Sequence, residues 1–120
     1  MRTALALLPL VVVGCGTSRP PADIDRGRAA VVAALDNWKA NEPAAKLKTL
    51  ADPLDFTEEL RATHTLTGYE IVKHDATDPE VVRFTVKLRL KDRRGKESER
   101  EAVYSVGLKS PVAVARDPYF

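Results

Sequence analysis

Three regimes of hydrophobic patterning follow one another along the chain. An apolar run from Ala4 to Val13 comes first, helical spacing holds from Asp23 to about Ala62, and alternation begins after His64. In the middle regime Ile24, Val31, Ala34, Leu35 and Trp38 fall close to one helical face, while Asp25, Arg28, Asp36 and Lys39 lie mostly off it. Asp23 stands where an N-cap residue belongs. Gly27 weakens the first turn by about 1 kcal/mol relative to alanine. Asn41-Glu42-Pro43 ends this helix and opens a second, with Pro43 suited to a first helical position. Leu47 and Leu50 give that second helix a short apolar stripe. Asp52-Pro53 breaks the chain again, and the four-residue spacing of Phe56 and Leu60 predicts a third helical piece over 56–62.

The alternating regime predicts strands. Val82, Phe84, Val86, Leu88 and Leu90 interleave with Arg83, Thr85, Lys87, Arg89 and Lys91, the pattern of a half-buried antiparallel strand. Ala102, Tyr104, Val106 and Leu108 share one face of the next. Between them Asp92-Arg93-Arg94-Gly95-Lys96 forms a turn, with Gly95 free to be left-handed. The expected hairpin register sets Leu88 opposite Ala102, Val86 opposite Tyr104, Phe84 opposite Val106 and Val82 opposite Leu108. It also sets Lys91 against Glu99, Arg89 against Glu101 and Arg93 against Glu97. A slip by one residue would put Leu90 opposite Glu99, so the pattern selects against it. Tyr69, Ile71 and Val72 predict an earlier strand over 65–74, joined through Asp78-Pro79. A last strand spans 112–116, entered through Lys109-Ser110-Pro111, with Leu108 facing Val112 and Val106 facing Val114. Helices first and a four-stranded antiparallel meander afterwards make an α+β fold, helix packed on one face of the sheet.

The N-terminal run is too short for a membrane span, which needs roughly 20 apolar residues. Met1-Arg2 supplies a positive start, and small residues close the run, as in a secretory leader. Val12-Val13-Gly14-Cys15 resembles the lipobox of bacterial lipoproteins. That resemblance implies cleavage after Gly14 and a lipidated Cys15 at the new N-terminus. It places the domain outside the cytoplasm, on a lipid bilayer of the cell envelope, and Gly16 favours the outer membrane over the cytoplasmic one. Cys15 is the single cysteine, so no intrachain disulfide forms. Residues 1–14 are then the leader, 15–22 a lipidated tether and 23–120 one domain. Gly16 to Ala22 reads as extended chain reaching about 20–25 Å.

A chain of 120 residues with 19 basic and 17 acidic side chains is nearly balanced. It carries no nucleic-acid footprint, and export separates it from nucleotides. It is long enough to bury one core without metal or disulfide. No cofactor is expected.

The element order resembles the cystatin-like superfamily, including domains similar to nuclear transport factor 2 and ketosteroid isomerase. Ala102-Val103-Tyr104-Ser105-Val106-Gly107 and Ser110-Pro111-Val112-Ala113-Val114-Ala115-Arg116 are similar to the closing hairpin of small bacterial lipoproteins with such domains. Leu35-Asp36-Asn37-Trp38-Lys39-Ala40-Asn41 resembles the end of their first helix, and Leu66-Thr67-Gly68-Tyr69-Glu70-Ile71 their first strand. Enzymes of this superfamily use a carboxylate or a His–Asp pair inside the cone of the curved sheet. The resemblance thus makes Asp55, His64, Tyr69, His74 and Tyr104 the candidates for an isomerase-like or hydrolase-like site or a small-ligand cavity.

No spacing forces any two of these five together, and a general base needs a partner within hydrogen-bond reach. His64 and His74 fit no metal-ligand pattern. Arg83, Lys87, Arg89 and Lys91 form a basic stripe that Glu97, Glu99 and Glu101 oppose. Arg93, Arg94 and Lys96 in the turn are the least neutralised and could meet anionic headgroups or an acidic glycan. Trp38 belongs to the core, while Tyr119-Phe120 could dock on the domain or touch a partner. The sequence therefore predicts a membrane-anchored lipoprotein with a non-catalytic binding or envelope-structural domain. The two competing expectations are a ligand-binding or enzymatic domain using the sheet cavity, and a subunit pairing through the outer sheet face.

Overall fold

The computed structural model describes residues 22–118. The elements run α1 (Ile24–Lys39), a 3-10 helix (Ala44–Thr49), β1 (Leu54–Thr57), a second 3-10 helix (Glu59–Ala62), β2 (His64–Asp78), β3 (Val81–Asp92), β4 (Glu97–Gly107) and β5 (Val112–Arg116). The leader, tether residues 15–21 with Cys15, and Tyr119-Phe120 lie outside the described residues.

Helix α1 begins at the expected cap. The Asp23 carboxylate accepts the Arg26 backbone N–H at 3.0 Å, satisfying one of the first-turn donors. It ends where Asn41 turns left-handed at φ 56°. The Glu42 N–H reaches back to the Asn37 carbonyl and the Asn41 N–H to that of Trp38, a Schellman closure in which asparagine replaces the usual glycine. The expected second helix is a 3-10 helix of six residues, because Leu47 is its one buried side chain and Leu50 stays exposed. A single anchor does not make an amphipathic face.

The sheet has five strands in the order β1-β5-β4-β3-β2. Its four C-terminal strands form the expected antiparallel meander, but the expectation of four strands needs correction. Leu54–Thr57 adds a fifth, parallel to β5, with Leu54 beside Val112 and Phe56 beside Val114. Phe56 therefore sits on a strand, and the predicted third helical piece reduces to the short 3-10 helix Glu59–Ala62. The β3–β4 register also differs from expectation by two residues. Val86 pairs with Ala102, Phe84 with Tyr104 and Val82 with Val106. A two-residue shift preserves both faces, and it retains charge complementarity, setting Lys91 opposite Glu97, Arg89 opposite Glu99 and Lys87 opposite Glu101. The β4–β5 register places Val106 opposite Val114 as expected. Strand β2 runs longer than expected and is interrupted by register shifts between Leu66 and Gly68, Ile71 and Lys73, and Asp75 and Asp78.

The core lies between α1 and the inner sheet face. Val31, Ala34, Leu35 and Trp38 meet Val82, Phe84, Val86, Leu88 and Leu90 of β3, with Ala102, Tyr104 and Val106 beside them. Each large apolar side chain buried here stabilises the fold by roughly 1.5–3 kcal/mol before entropy is charged against it. Gly27 lets the helix approach closely, since a Cβ there would lie 3.2 Å from the Phe84 ring.

Helix and hairpin are aligned. At the start of α1, Gly27 lies over Val82 and Phe84, and Arg26 donates to the Leu108 carbonyl at 2.7 Å. At its end, the Trp38 indole N–H donates to the carbonyl of His64, which pairs with Asp92. The start of α1 and the β3–β4 turn therefore occupy opposite ends of the domain. The 12 residues of β3 between them span about 35–40 Å.

Candidate functional site

The inner face of the sheet is filled. Val82, Phe84, Val86 and Tyr104 are fully buried there, and Trp38 is nearly so. A cavity of about 510 Å³ lies instead on the outer side of the sheet between β2, β3 and β4, lined by Lys73, Asp75, Arg83, Thr85, Glu101 and Val103, with His74 at its margin. Arg83 is ion-paired there with Asp117 at 3.5 Å, and the Ser105 hydroxyl also reaches that carboxylate.

The five candidate chemical groups are dispersed, and each is engaged locally. Asp55 faces Lys48 at 3.6 Å. The Nδ1 of His64 meets the Thr63 hydroxyl, and its carbonyl holds Trp38. The Nδ1 of His74 lies 3.2 Å from Arg28, whose guanidinium sits over the Phe84 ring. The Tyr69 hydroxyl donates to Asp36 at 2.8 Å, and burial together with that carboxylate raises the phenol to about 12. No hydrogen bond, ion pair or ring contact joins any two of the five. No group of three metal-ligating side chains occurs among the described residues.

Tyr104 has a partner that sequence reasoning missed. Its hydroxyl donates to Glu58 Oε2 at 2.5 Å. Arg116 Nε donates to the same carboxylate at 3.0 and 3.2 Å, and the Leu60 backbone N–H adds a bond at 3.0 Å. The Glu58 side chain is wholly buried, while Arg116 keeps 24 % of its surface. Burial, and then the bond to Glu58, push the Tyr104 phenol far above its ordinary value. This cluster ties the segment after β1 to β4 and β5. Above it Phe56 tilts onto Tyr104 at 6.2 Å, and the Arg61 guanidinium lies over Phe56. Arg61 donates onward to Asn37 Oδ1 and to the Glu42 carbonyl, and its burial lowers its pKa. Glu58 follows no motif; it lies 46 residues from Tyr104 and 58 from Arg116. The one local trace is its position as N-cap of the second 3-10 helix.

The basic turn is built by its own backbone. Gly95, at φ 84°, closes a three-residue loop in which Gly95 N–H bonds to the Asp92 carbonyl and Asp92 N–H to that of Lys96. The Asp92 carboxylate accepts the Arg94 and Lys96 N–H groups at 2.8 and 2.9 Å. Those backbone bonds, the Lys96 bond foremost, hold its pKa below the usual carboxylate range. Arg93 donates to the Ala62 carbonyl at 2.8 Å. Among the described residues, the Arg94 and Lys96 side chains make no hydrogen bond or ion pair, and all three cations are exposed. The stripe behind them is countered: Arg89 lies 3.9 Å from Glu99, and Lys87 and Lys91 face Glu101 and Glu97. This arrangement can attract anions but has no nucleophile or proton-transfer pair.

No protein-family model, curated protein or solved structure matches the chain. Among the described residues, no helix is long and apolar enough to cross a membrane.

Proposed function

We propose that the chain is an exported bacterial lipoprotein, held by lipid on Cys15 at the outer membrane, with a non-catalytic domain that binds a partner or organises the envelope. The observation that carries this reading is Val12-Val13-Gly14-Cys15 closing a short apolar run behind Met1-Arg2. The domain begins promptly afterwards, with Asp23 capping α1 and Ala22 already packed against the core. Its build is of the cystatin-like or nuclear-transport-factor-2-like kind, with a helix across a curved sheet. The non-catalytic part rests on the dispersal of Asp55, His64, Tyr69 and His74, and on the use of Tyr104 to hold a buried carboxylate.

One acyl chain gives marginal binding, at about 0.8 kcal/mol per buried methylene, so stable anchoring needs two or more. Radiolabelled palmitate supplied to cells expressing the chain is expected to enter the wild type and not Cys15→Ser. Labelling that survives the substitution overturns the reading.

A further inference from the structure

We propose that the β3–β4 turn binds an acidic polysaccharide on the side of the domain away from the anchoring membrane, the domain standing between the two. The orientation rests on the lipidation of Cys15. The rest follows from geometry and charge.

The tether joins at Ala22, at the start of α1, and the turn lies at the far end of β3, a strand about 35–40 Å long. The two ends differ in charge. Near the tether, Arg26 pairs with Asp52 and Lys109 with Glu80, while Arg28 is drawn onto the Phe84 ring. Asp23, Asp25 and Asp78 leave that end acidic. At the far end Arg93, Arg94 and Lys96 outnumber Asp92, and Glu97 is matched by Lys91 across the strands. A tether reaching about 20–25 Å keeps Ala22 the nearer point to the anchoring membrane, so the basic end is on average the one presented outward.

The chemistry of the turn favours a polymer over a second membrane. A second membrane would be held by surface charge alone unless apolar side chains also entered among its acyl chains. From Lys91 to Glu97 the turn has none. Beside it opens a cleft of about 170 Å³ lined by Arg61, His64, Thr65, Lys91 and Arg93, with the Asp92 carboxylate, turned onto backbone N–H groups, also in its wall. That space admits a carboxylate-sized group, with Arg94 and Lys96 left to reach its neighbours along the polymer. A sugar chain with repeating carboxylates can engage the recessed position and the two projecting cations together.

The test uses the full lipidated chain in phosphatidylcholine vesicles. Flotation first reads the anchor. Polygalacturonate is then titrated, and vesicles of phosphatidylglycerol are titrated separately at equal charge. Floating protein is expected to bind polygalacturonate more tightly than the anionic vesicles, with affinity falling as salt rises. At roughly fivefold per cation, the triple variant R93A/R94A/K96A is expected to lose about hundredfold in affinity. The double variant R94A/K96A, which breaks no hydrogen bond, is expected to lose about 25-fold. Undiminished polygalacturonate binding by the double variant overturns the proposal, as does equal or tighter binding to the anionic vesicles. Failure to float overturns the lipidation of Cys15 and the orientation built on it, whatever the turn binds.

Discussion

Replacing Arg116 by methionine keeps most of the side chain's length and removes its charge, leaving the Glu58 carboxylate buried with only Tyr104 and Leu60 as donors. Breaking a buried pair by removing one partner costs about 3–5 kcal/mol, because the remaining charge is uncompensated. Arg116 is 24 % exposed and Glu58 not at all. Water can enter the vacated space, so the expected loss falls to about 2–3 kcal/mol. In a domain of this size that lowers Tm by about 10–20 °C. Urea denaturation followed by the fluorescence of Trp38, the single tryptophan, measures it. Cys15→Ser serves as the background to avoid lipid. The decisive step is the cycle with Glu58→Gln. In the Arg116→Met background, neutralising Glu58 removes the orphaned charge and is expected to restore at least about 1 kcal/mol, whereas Glu58→Gln alone destabilises. Additive losses, or a loss below about 0.5 kcal/mol for Arg116→Met, would refute the view that Glu58 is a charge held in place by its partners.

Other consequences follow from single residues. Tyr69 and Tyr104 have raised folded-state pKa values, so the stability they contribute is present below pH 10, where the unfolded phenols begin to ionise, and is lost as pH rises towards the folded values. The urea midpoint is expected to fall between pH 10 and 12, and less steeply in Tyr69→Phe; a midpoint unchanged over that interval contradicts both shifts. Gly27→Leu drives a side chain into the buried Phe84 ring and is expected to cost about 1–3 kcal/mol by thermal denaturation. Gly95→Ala meets no neighbouring atom, so its expected cost of about 1 kcal/mol comes from the left-handed backbone alone; Gly95→Asn is expected to recover part of it.

The sequence disclosed the parts of the fold that repeat and concealed the parts that do not. Val31, Ala34, Leu35 and Trp38 announce one buried helix face, and Val82 to Leu90 alternate long enough to define a strand. The β3–β4 register was legible only in parity. Two registers two residues apart bury the same side chains and match the same charges, so hydrophobic pattern cannot separate them. The turn decides, through the Asp92 carboxylate gathering the Arg94 and Lys96 N–H groups and through left-handed Gly95. Strand β1 was illegible because four residues show no reliable period, and its partner β5 lies nearly sixty residues away. Phe56 and Leu60 have helical spacing but occupy separate elements. A glutamate in a polar stretch reads as surface, and the partners that bury Glu58 come from β4 and β5. The exposed cations Arg93, Arg94 and Lys96 were readable because their chemistry depends on one turn.

The register shifts along β2 have a consequence for crowding. If the chain is anchored through Cys15 as proposed, its copies share a plane and meet edge-on far more often than in solution, where a smooth outer strand of 15 residues would invite a neighbour's strand to add to it. The breaks at Leu66–Gly68, Ile71–Lys73 and Asp75–Asp78 cut that template into pieces too short to zip. The opposite border, β1, offers only four residues. A dense lawn of these domains would thus stay a two-dimensional fluid, each copy free to diffuse and rotate, rather than fuse into ribbons.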